Sequence, residues 1–361
     1  MSDACAVLAT CERGAVKIVL ALAAPFPSPQ GSQVYVRGMA RALAAAGDDV
    51  TVVAYGYGEG EPGIRVVGVP VPPTYRRMRS GPDFVKPFLD LRLAAALRRI
   101  DADVVHAHNY EALAASFLCG KPVVYNNHSL LAEELPTYFA SGRAFWGAAG
   151  ALVDRTLPRR ARAVVAITEA AARRLRSLGC ARVTTIPPGV DPADFVGATP
   201  RRLGPRPTVV YAGNPDAYQN LPLLTAAMQI LSEWRLLIVT ATPFDMPGAT
   251  VITTSSWSET RDWIAGADVA AIPRALAGGF PLKLLNSLAL GVPTVVTAPL
   301  AQGLVGEIVV PPDDPRAFAR GVEAAQKARA EHAHIARETL RNCSWGRRAA
   351  AIRAVYATVL D

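Results

Sequence analysis

A lysine and an asparagine that follow two adjacent glycines have the clearest potential for chemistry in this sequence. Gly278 and Gly279 free the backbone, and Pro281 suits the first position of a helix because its missing N–H is not needed there. Lys283 falls in the first turn of that helix, where unpaired amides and the helix dipole favour an anion. Asn286 lies on the same face, one turn deeper. The spacing suits a nucleoside diphosphate, whereas a solvated lysine and asparagine on an ordinary surface helix is the alternative.

The surrounding elements position these two side chains. Apolar runs at Ala267–Ile272 and Val292–Val296 predict strands before and after the segment. Apolar side chains between them recur at helical spacing and predict a helix with one face packed on a sheet. They are Leu282, Leu285, Leu288 and Ala289. Gly291 is placed to end this helix, so the segment is predicted to run strand, glycine loop, helix, strand.

A second group of polar residues follows two short apolar runs, Asp103–Ala107 and Pro122–Tyr125. In open parallel sheets the ligand crevice lies outside the carboxyl ends of the strands. Polar residues gather at both of these ends: His106, His108, Asn109, Tyr110 and Glu111, and then Asn126, Asn127, His128 and Ser129. The H-x-H pair has no placed carboxylate partner, which disfavours a metal site there.

The glycine-rich segment resembles the donor-sugar motif of GT-B glycosyltransferases, specifically the retaining family 4 type. The family pattern is E-G-F-G-x-x-x-x-E-A-M-A-x-G-x-P-V-V, and residues 278–293 read GGFPLKLLNSLALGVP. Both family glutamates are replaced, the first by Gly278 and the second by Asn286. The frame of glycine, phenylalanine and the closing G-x-P is kept, but two polar positions of the motif differ.

The resemblance covers nearly all of residues 16–360. The loop PFPSPQGSQ resembles the family's P-P-x-x-G-G loop, with Gln30 replacing one glycine before Gly31. The segments H-A-H-N-Y-E, N-N-H, I-T-E, I-P-P-G-V-D-P and V-P-P-D-D-P also match family motifs. In the loop after Thr208–Ala212 most relatives carry an arginine and a lysine, whereas here Asn214 and Gln219 or Asn220 stand in that region.

The resemblance implies an α/β fold of the GT-B class, with two doubly wound Rossmann-like domains facing each other across a cleft. Residues 1–196 are expected to form the acceptor domain and residues 207–344 the nucleotide-sugar donor domain. A Pro-, Gly- and Arg-rich linker, 197–207, is expected between them. Residues 345–361 resemble the C-terminal helix that crosses back to the first domain.

The resemblance also implies roles for particular residues. His128 and Lys283 are expected to be catalytic. The residues expected at the donor diphosphate are Gly31, Gly279, Phe280, Leu282 and Lys283. Those expected at the nucleoside or sugar are Asn214, Tyr218, Gln219, Arg274, Gly278 and Asn286. Those expected on the acceptor side are His108, Asn109, Tyr110, Asn127 and Glu169. No metal or other cofactor is expected, because helix amides and a lysine can stabilise a leaving diphosphate.

The function implied is retaining transfer of a sugar from a nucleotide diphosphate, UDP ahead of GDP, to a hydroxyl acceptor of unknown identity. Two alternatives stay open: a GT-B protein that binds nucleotide-sugars without catalysis, and a nucleotide-sugar epimerase. The replaced glutamates and the missing Arg/Lys pair favour the first alternative. The sequence contains no P-loop, G-x-G-x-x-G, G-x-S-x-G or H-E-x-x-H motif, which excludes the common NTPase, dehydrogenase, hydrolase and metalloprotease classes.

Charge and composition narrow the classes of partner and the cellular compartment that are expected for this protein. The net charge of +8 favours anionic partners, but no nucleic-acid motif accompanies it, so no nucleic-acid partner is expected. The five cysteines form no C-x-x-C pair, no apolar run approaches the roughly 20 residues of a membrane span, and no basic leader suggests secretion. A cytoplasmic protein is expected. The basic stretch 75–100, with leucines and phenylalanines between its charges, suits peripheral contact with the inner face of the membrane, or else a solvated surface helix.

Overall fold

The computed structural model describes residues 14–28, 30–56, 60–72, 81, 83–139, 141–274 and 279–361. Internal contacts divide these residues into two compact units. The first contains the described residues up to Gly189, together with 279–280 and Trp345–Asp361. The second contains residues 190–274 and 281–344. Gly278, predicted to contact the sugar, and residues 75–80 and 82 of the basic stretch lie outside the described residues.

The first unit is built on a seven-stranded parallel sheet with strand order β3-β2-β1-β4-β5-β6-β7. Its strands are β1 (Lys17–Pro25), β2 (Asp49–Tyr55), β3 (Arg65–Val69), β4 (Val104–His108), β5 (Val123–Asn127), β6 (Ala163–Ala166) and β7 (Val183–Thr185). Both faces are covered, so the strands are continuously apolar rather than alternating. In β1, Ile18, Leu20 and Leu22 enter one core, whereas Val19, Ala21 and Ala23 enter the other.

Helices connect these strands and cover both faces of the sheet. They are α1 (Gly31–Ala45), α2 (Lys86–Arg99), α3 (Tyr110–Ser116), α4 (Leu131–Glu134), α5 (Arg143–Thr156) and α6 (Glu169–Ser177). Short 3-10 helices lie at Leu135–Tyr138 and Pro158–Arg160. In the described part of the predicted basic stretch, the helix begins at Lys86, and Lys86 is buried rather than part of an exposed basic face.

The second unit has a six-stranded parallel sheet with strand order β10-β9-β8-β11-β12-β13. Its strands are β8 (Thr208–Ala212), β9 (Arg235–Thr240), β10 (Ala249–Thr253), β11 (Val269–Ile272), β12 (Thr294–Thr297) and β13 (Glu307–Val310). Its helices are α7 (Leu221–Ile230), α8 (Trp257–Gly266), α9 (Leu282–Ala289), α10 (Pro315–Ala328) and α11 (His332–Asn342). Its 3-10 helices are Pro192–Phe195, Ala217–Gln219, Ala298–Leu300 and Arg329–Glu331.

The last helix, α12 (Trp345–Leu360), packs in the first unit. Trp345, Ile352 and Tyr356 belong to the same buried cluster as Tyr35 and Met39 of α1. A Cβ on Gly38 would overlap the indole of Trp345, so glycine is needed where the two helices meet. The residues of α12, which come more than 150 positions after the end of β7 in the sequence, therefore complete the core of the first sheet.

The Pro- and Gly-rich segment before β8 is tied to the second unit. Arg201 N donates to Asp262 O at 2.9 Å, and Thr199 N donates to Asp262 Oδ1 at 3.1 Å. Upstream of this segment, Trp257 Nε1 donates to Asp194 O at 3.1 Å. The compact second unit accordingly begins at Val190, before the predicted linker 197–207. The domain boundaries given above stay a prediction.

Candidate functional site

Strand register in the first unit places the predicted polar residues along one edge of its sheet. Leu22 of β1 pairs with His108 of β4, and His108 pairs with Asn126 of β5. Since the strands are parallel, the residues that follow these positions leave the sheet at the same edge. His128 and Asn109 therefore follow neighbouring strands at the end where ligands of such sheets bind.

His128 is held by two hydrogen bonds to the same ring nitrogen. His108 Nδ1 lies 3.1 Å from His128 Nε2, and Asn126 Nδ2 lies 3.5 Å from it. Tyr35 Oη donates to Asn126 Oδ1 at 3.1 Å, which turns the amide N–H₂ of Asn126 towards the histidine. We assign the proton of His128 to Nδ1, because Nε2 accepts from both neighbours. The Nδ1–H of His128 is then the ring's available donor.

Burial keeps this group of histidines neutral. It lowers the pKa of His128 to about 4 and that of His106 to about 3, because a buried imidazolium loses its hydration. Burial and the neighbouring rings of His106 and His128 also lower the pKa of His108 well below 6.5. At neutral pH His128 can therefore donate a hydrogen bond or offer its carbonyl, but it does not act as a cation.

The histidine group is connected to the last helix. His106 Nδ1 lies 2.7 Å from Tyr356 Oη, and the His106 ring stacks on the His108 ring with centroids 4.8 Å apart. The Nε2 atoms of His106 and His108 are buried and have no hydrogen-bond partner in the described structure. Packing between α12 and the sheet thus fixes the orientation of the rings behind His128.

Gly279 lies against the backbone carbonyl of His128. Its φ is +68°, a conformation that favours glycine, and an added Cβ would lie 3.0 Å from His128 O. Phe280 packs on the core that contains Tyr35 and Trp345. Gly31 is the exposed first residue of α1, and an added Cβ there would meet nothing within 4 Å. The predicted diphosphate residues Gly31, Gly279 and Phe280 therefore all belong to the first unit.

A cavity of about 520 Å³ opens beside these residues in the first unit. Of the predicted acceptor residues, Asn109 and Tyr110 line it, as does the candidate catalytic His128. Asn109 caps α3 with a φ of +70°, a strained conformation of the kind that clusters at binding sites. Asn127 is buried and donates to Tyr110 Oη at 3.3 Å.

Glu169 and His108 do not line this cavity. Glu169 begins α6, accepts from Thr185 Oγ1 at 2.6 Å and pairs with Arg176 at 3.0 Å. The structure thus gives Glu169 a local role at the start of its helix. His108 lies in the sheet behind His128.

In the second unit, Lys283 lies in the first turn of α9, as the helix pattern predicted. Its Nζ donates to Tyr211 Oη and to Gln219 Oε1, each at 3.0 Å, and lies 4.2 Å from the centroid of the Tyr211 ring. An added Cβ on Gly213 would lie 2.9 Å from this nitrogen, so the glycine leaves room for the ammonium. The lysine is therefore held beside β8 by two neutral oxygens and an aromatic face.

The charge of Lys283 is poorly compensated within the second unit. Burial and, to a smaller extent, the positive charge of Arg274 lower its pKa to about 7, and the charge of Asp216 opposes both effects. Burial also raises the pKa of Tyr211 above its usual value, which keeps the phenol neutral. An anion beside Lys283 would restore its ammonium form, so this position is chemically prepared for a phosphate oxygen.

The other predicted donor residues lie on α9 or in the loop after β8. Pro281 is the residue before α9 rather than its first helical residue, and Leu282 begins the helix. Asn286 is half-buried one turn after Lys283. Arg274 holds its guanidinium 5.3 Å from the ring centroid of Tyr218. Asn214 accepts from Tyr211 Oη through its backbone oxygen at 2.6 Å, so its side chain is not used in that contact.

Sequence reasoning missed several residues that shape these sites. Tyr35 and Tyr211 looked like ordinary core residues, because one sits on the apolar face of α1 and the other in a buried strand. Their hydroxyls nevertheless orient Asn126 and Lys283. Glu134 was also missed, although the polar pattern of the segment LLAEELPTY after His128 was a usable signal.

Over the residues with described positions, no three His, Cys, Asp or Glu side chains are grouped so that they could hold a metal ion. In the same part of the chain, no helix is long and apolar enough to cross a membrane.

The order of the two sheets, each a doubly wound parallel array, defines a Rossmann-like α/β fold in both units. The sucrose-phosphate synthase of Thermosynechococcus elongatus matches it with a TM-score of 0.79 at 18% identity, covering 94% of this chain and 98% of that one. An Anabaena protein, HepE, solved in complex with UDP and glucose, matches with a TM-score of 0.70 at 15% identity, covering 95% and 100%. These likenesses confirm the GT-B fold class.

Family comparisons agree with this class. The family model described as Glycosyltransferase Family 4 matches residues 29–194, and the one described as Glycosyl transferases group 1 matches residues 206–327. The D-inositol 3-phosphate glycosyltransferase of Xylanimonas cellulosilytica is 27% identical over 91% of each chain. The phosphatidyl-myo-inositol mannosyltransferase of Propionibacterium freudenreichii is 26% identical over 75% of this chain and 74% of that protein. The chain belongs to the family 4, group 1 glycosyltransferases, and the predicted enzyme class is confirmed.

Proposed function

We propose that the protein transfers a sugar from a nucleotide diphosphate to a hydroxyl acceptor with retention of the anomeric configuration. The observation that carries this proposal is the Lys283 group, a cation with a lowered pKa in the first turn of a helix. UDP is proposed ahead of GDP, because Anabaena HepE was solved with UDP and with UDP-glucose. The donor is a substrate, and no cofactor is proposed.

The donor diphosphate is proposed to bind Lys283 together with backbone groups of Gly31, Gly279, Phe280 and Leu282. Two N–H groups of the Lys283 ammonium are used by Tyr211 and Gln219, which leaves the third for a phosphate oxygen. The chain lacks the family's usual Arg and Lys in the loop after β8. Gln219 stands in the region of that loop where relatives carry the lysine, and it contacts Lys283. This contact supports the proposal that Lys283 of α9 supplies the positive charge that the loop lacks.

The nucleoside and sugar are proposed to contact the remaining predicted donor residues. Asn286 offers an amide to the ribose hydroxyls where relatives offer a carboxylate. Tyr218 and Arg274 form an aromatic and cationic pair beside Lys283. Asn214 and Gln219 complete the set. Glycine at position 278 has no side chain to replace the family glutamate, so the sugar hydroxyl is proposed to be bound by backbone groups or by Arg274. The loss of both glutamates is thus proposed to be accommodated by the amide of Asn286 and by backbone groups or Arg274, while Lys283 supplies the positive charge missing from the loop after β8.

Catalysis is proposed to be electrostatic and to need no metal ion. The C1–O bond to the diphosphate breaks while a C1–O bond to the acceptor forms on the same face, and the acceptor proton passes to the departing phosphate. Lys283 stabilises the leaving anion. His128, neutral because of its low pKa, presents its Nδ1–H or its carbonyl oxygen to the sugar. A neutral histidine does not repel a sugar that becomes cationic.

A panel of UDP- and GDP-sugars, assayed for hydrolysis and for transfer with and without EDTA, tests this proposal. Transfer with retained configuration in the presence of EDTA is expected. Binding without turnover would instead identify a non-catalytic nucleotide-sugar-binding protein, and a changed sugar without an acceptor would identify an epimerase. Both curated relatives are named for phosphorylated inositols, so cyclitols belong among the acceptors.

We further propose that the start of α2 makes peripheral contact with an anionic membrane from the cytoplasmic side. Phe84, Phe88 and Leu91 are exposed at helical spacing, and Phe84 is fully exposed. The guanidinium of Arg92 lies 4.3 Å from the centroid of the Phe88 ring, and Arg98 and Arg99 are exposed at the far end of the same helix. Exposed apolar side chains next to arginines suit insertion at a headgroup boundary.

A further inference from the structure

The cavity of the first unit carries an excess of negative charge among its described lining residues. Its wall contains four carboxylates and one ammonium. The carboxylates are Asp83, Asp90, Glu111 and Glu134, and the ammonium is Lys86. Asp83 precedes α2, Lys86 and Asp90 lie in its first turns, Glu111 lies in α3 and Glu134 ends α4, so separate parts of the chain contribute to one wall.

Lys86 is a single positive charge and does not balance the three carboxylates Asp90, Glu111 and Glu134. Its Nζ donates to the backbone oxygen of Gly81 and lies 3.9 Å from Glu111 Oε1. Asp90 accepts from the neutral hydroxyl of Tyr55, and Glu134 accepts from the hydroxyls of Ser129 and Tyr138. Neutral donors satisfy the oxygens of a carboxylate but leave its negative charge in place. The described part of the cavity therefore presents a negative potential.

The carboxylates also influence one another. Burial raises the pKa of Glu111, Lys86 opposes this effect, and the charges of Asp90 and Glu134 raise the pKa further. Burial likewise raises the pKa of Asp90, against the hydrogen bond from Tyr55 and the charge of Lys86. A cation inside the cavity would relieve this repulsion, whereas an added phosphate would increase it.

Other features of the cavity fit a polyhydroxylated ligand. Its volume of about 520 Å³ is within the usual range for small-molecule sites, and Gln33, Asn109 and Ser129 offer neutral polar contacts. Tyr110 and Tyr125 of the same wall are held from behind by buried Asn127, whose Nδ2 donates to each hydroxyl at 3.3 Å. His128 lines the cavity too, so a bound hydroxyl would lie near the proposed reaction centre.

We propose that this cavity binds an acceptor that carries a protonated amine, an aminosugar or an aminocyclitol, with Glu111 and Glu134 facing the ammonium. This inference deepens the proposed function, on which it rests, by naming the chemical class of the acceptor. The amine is a recognition group, and one of the ligand's hydroxyls accepts the sugar. A phosphorylated acceptor is disfavoured by the same carboxylates.

Calorimetric binding of matched acceptors to the UDP-saturated protein tests the inference. One set is glucosamine, N-acetylglucosamine and glucosamine 6-phosphate; the other is an aminodeoxyinositol, inositol and an inositol monophosphate. We expect each amine to bind about tenfold or more tightly than its neutral counterpart, the scale of one hydrogen bond to a charged group. The preference should shrink as salt screens the charges. Equal affinity for amine and neutral forms, tighter binding of a phosphate ester, or no binding in either set would overturn the inference.

Variants locate the effect. Glu111→Gln and Glu134→Gln should each remove most of the preference for the amine and leave affinity for the neutral form within about twofold, the scale of a small perturbation. Glu133→Gln is the matched control, because it removes the same charge from the adjacent, exposed position of α4, outside the cavity wall. Full loss of the preference in Glu133→Gln would also refute the site.

Donor hydrolysis without acceptor separates this inference from the proposed function. If UDP-sugar hydrolysis is present and the amine preference is absent, only the acceptor class is wrong. If amine binding follows the carboxylates but no donor turns over, the proposed function fails while the cavity assignment stands. Should a glutamine variant fold poorly, the salt dependence of the wild-type preference decides the matter alone.

Discussion

Replacement of Lys283 by methionine should weaken binding of a nucleoside diphosphate and leave binding of the bare nucleoside nearly unchanged. Methionine keeps much of the side-chain volume but removes the charge and the third N–H that Tyr211 and Gln219 leave available. A hydrogen bond from a charged group contributes about 1.5–3 kcal/mol, which corresponds to about 10- to 150-fold in affinity. The assay is calorimetric titration of both proteins with UDP and with uridine.

The lowered pKa of Lys283 adds a second expectation. A bound diphosphate raises this pKa above its free value of about 7, so binding takes up a proton when the pH exceeds 7. Affinity of the wild type for UDP should therefore fall as the pH rises above 7, by up to about tenfold per pH unit. The second ionisation of a phosphate monoester is near pH 6, so the ligand itself contributes little in this range. Lys283→Met should show a flat profile.

Two results would refute this reasoning. One is an equal loss of affinity for UDP and for uridine in Lys283→Met, which would mean that the substitution disturbs the whole unit. The other is a wild-type affinity that does not change between pH 7 and 9. Lys327→Met, which removes an exposed lysine of α10, is the control for a general change in protein charge.

Three further predictions concern the first unit. His128→Ala should lower kcat by about 100-fold, the scale of one positioned polar group, and the control His334→Ala, at an exposed histidine, should leave kcat unchanged. In the wild type, the contribution of neutral His128 to kcat should be lost only as the pH falls through about 4. Gly279→Ala should lower kcat/KM in a protein that still folds. Gly303→Ala, which has a similar φ of +70° and open space around it, should leave kcat/KM unchanged and is the control for backbone strain. Phe84→Ser should reduce sedimentation of the protein with anionic liposomes at low salt, and a similar loss in Phe145→Ser, an exposed phenylalanine of α5, would argue against a specific membrane face.

The sequence predicts most strands and the edge of the sheet where polar residues meet. A short run rich in β-branched residues, such as Val123–Tyr125, favours a buried strand, and polar residues that follow neighbouring parallel strands leave the sheet at the same edge. The same logic places Lys283 correctly at the start of α9, because glycines before and leucines after it restrict the register. Local pattern is sufficient where one face of an element is buried and the chain direction is fixed.

The partners of these residues could not be predicted in the same way. Tyr211 follows the pattern of a buried strand, and nothing local shows that its hydroxyl reaches a lysine 72 positions later. Tyr356 likewise looks like a packing residue of the last helix, although its hydroxyl contacts His106 across 250 positions. The charge of the cavity was missed for a related reason, since its carboxylates are spread over three segments. Contacts between residues that are distant in the sequence decide the roles of these side chains. The periodicity of apolar residues gives no information about such contacts.

The position of α12 has a consequence for biosynthesis. Trp345, Ile352 and Tyr356 fill the core of the sheet that the ribosome produces first. Until residues 345–361 have been synthesised, the nascent first unit must expose the apolar face of α1 that these residues later cover, and His106 must lack its contact with the Tyr356 hydroxyl. The second unit, whose core needs no residue after Ser344, can complete its packing earlier. Loss of the last 17 residues should therefore harm the unit at the opposite end of the chain, and a stop codon at Trp345 should yield an aggregation-prone protein whose second sheet is still formed.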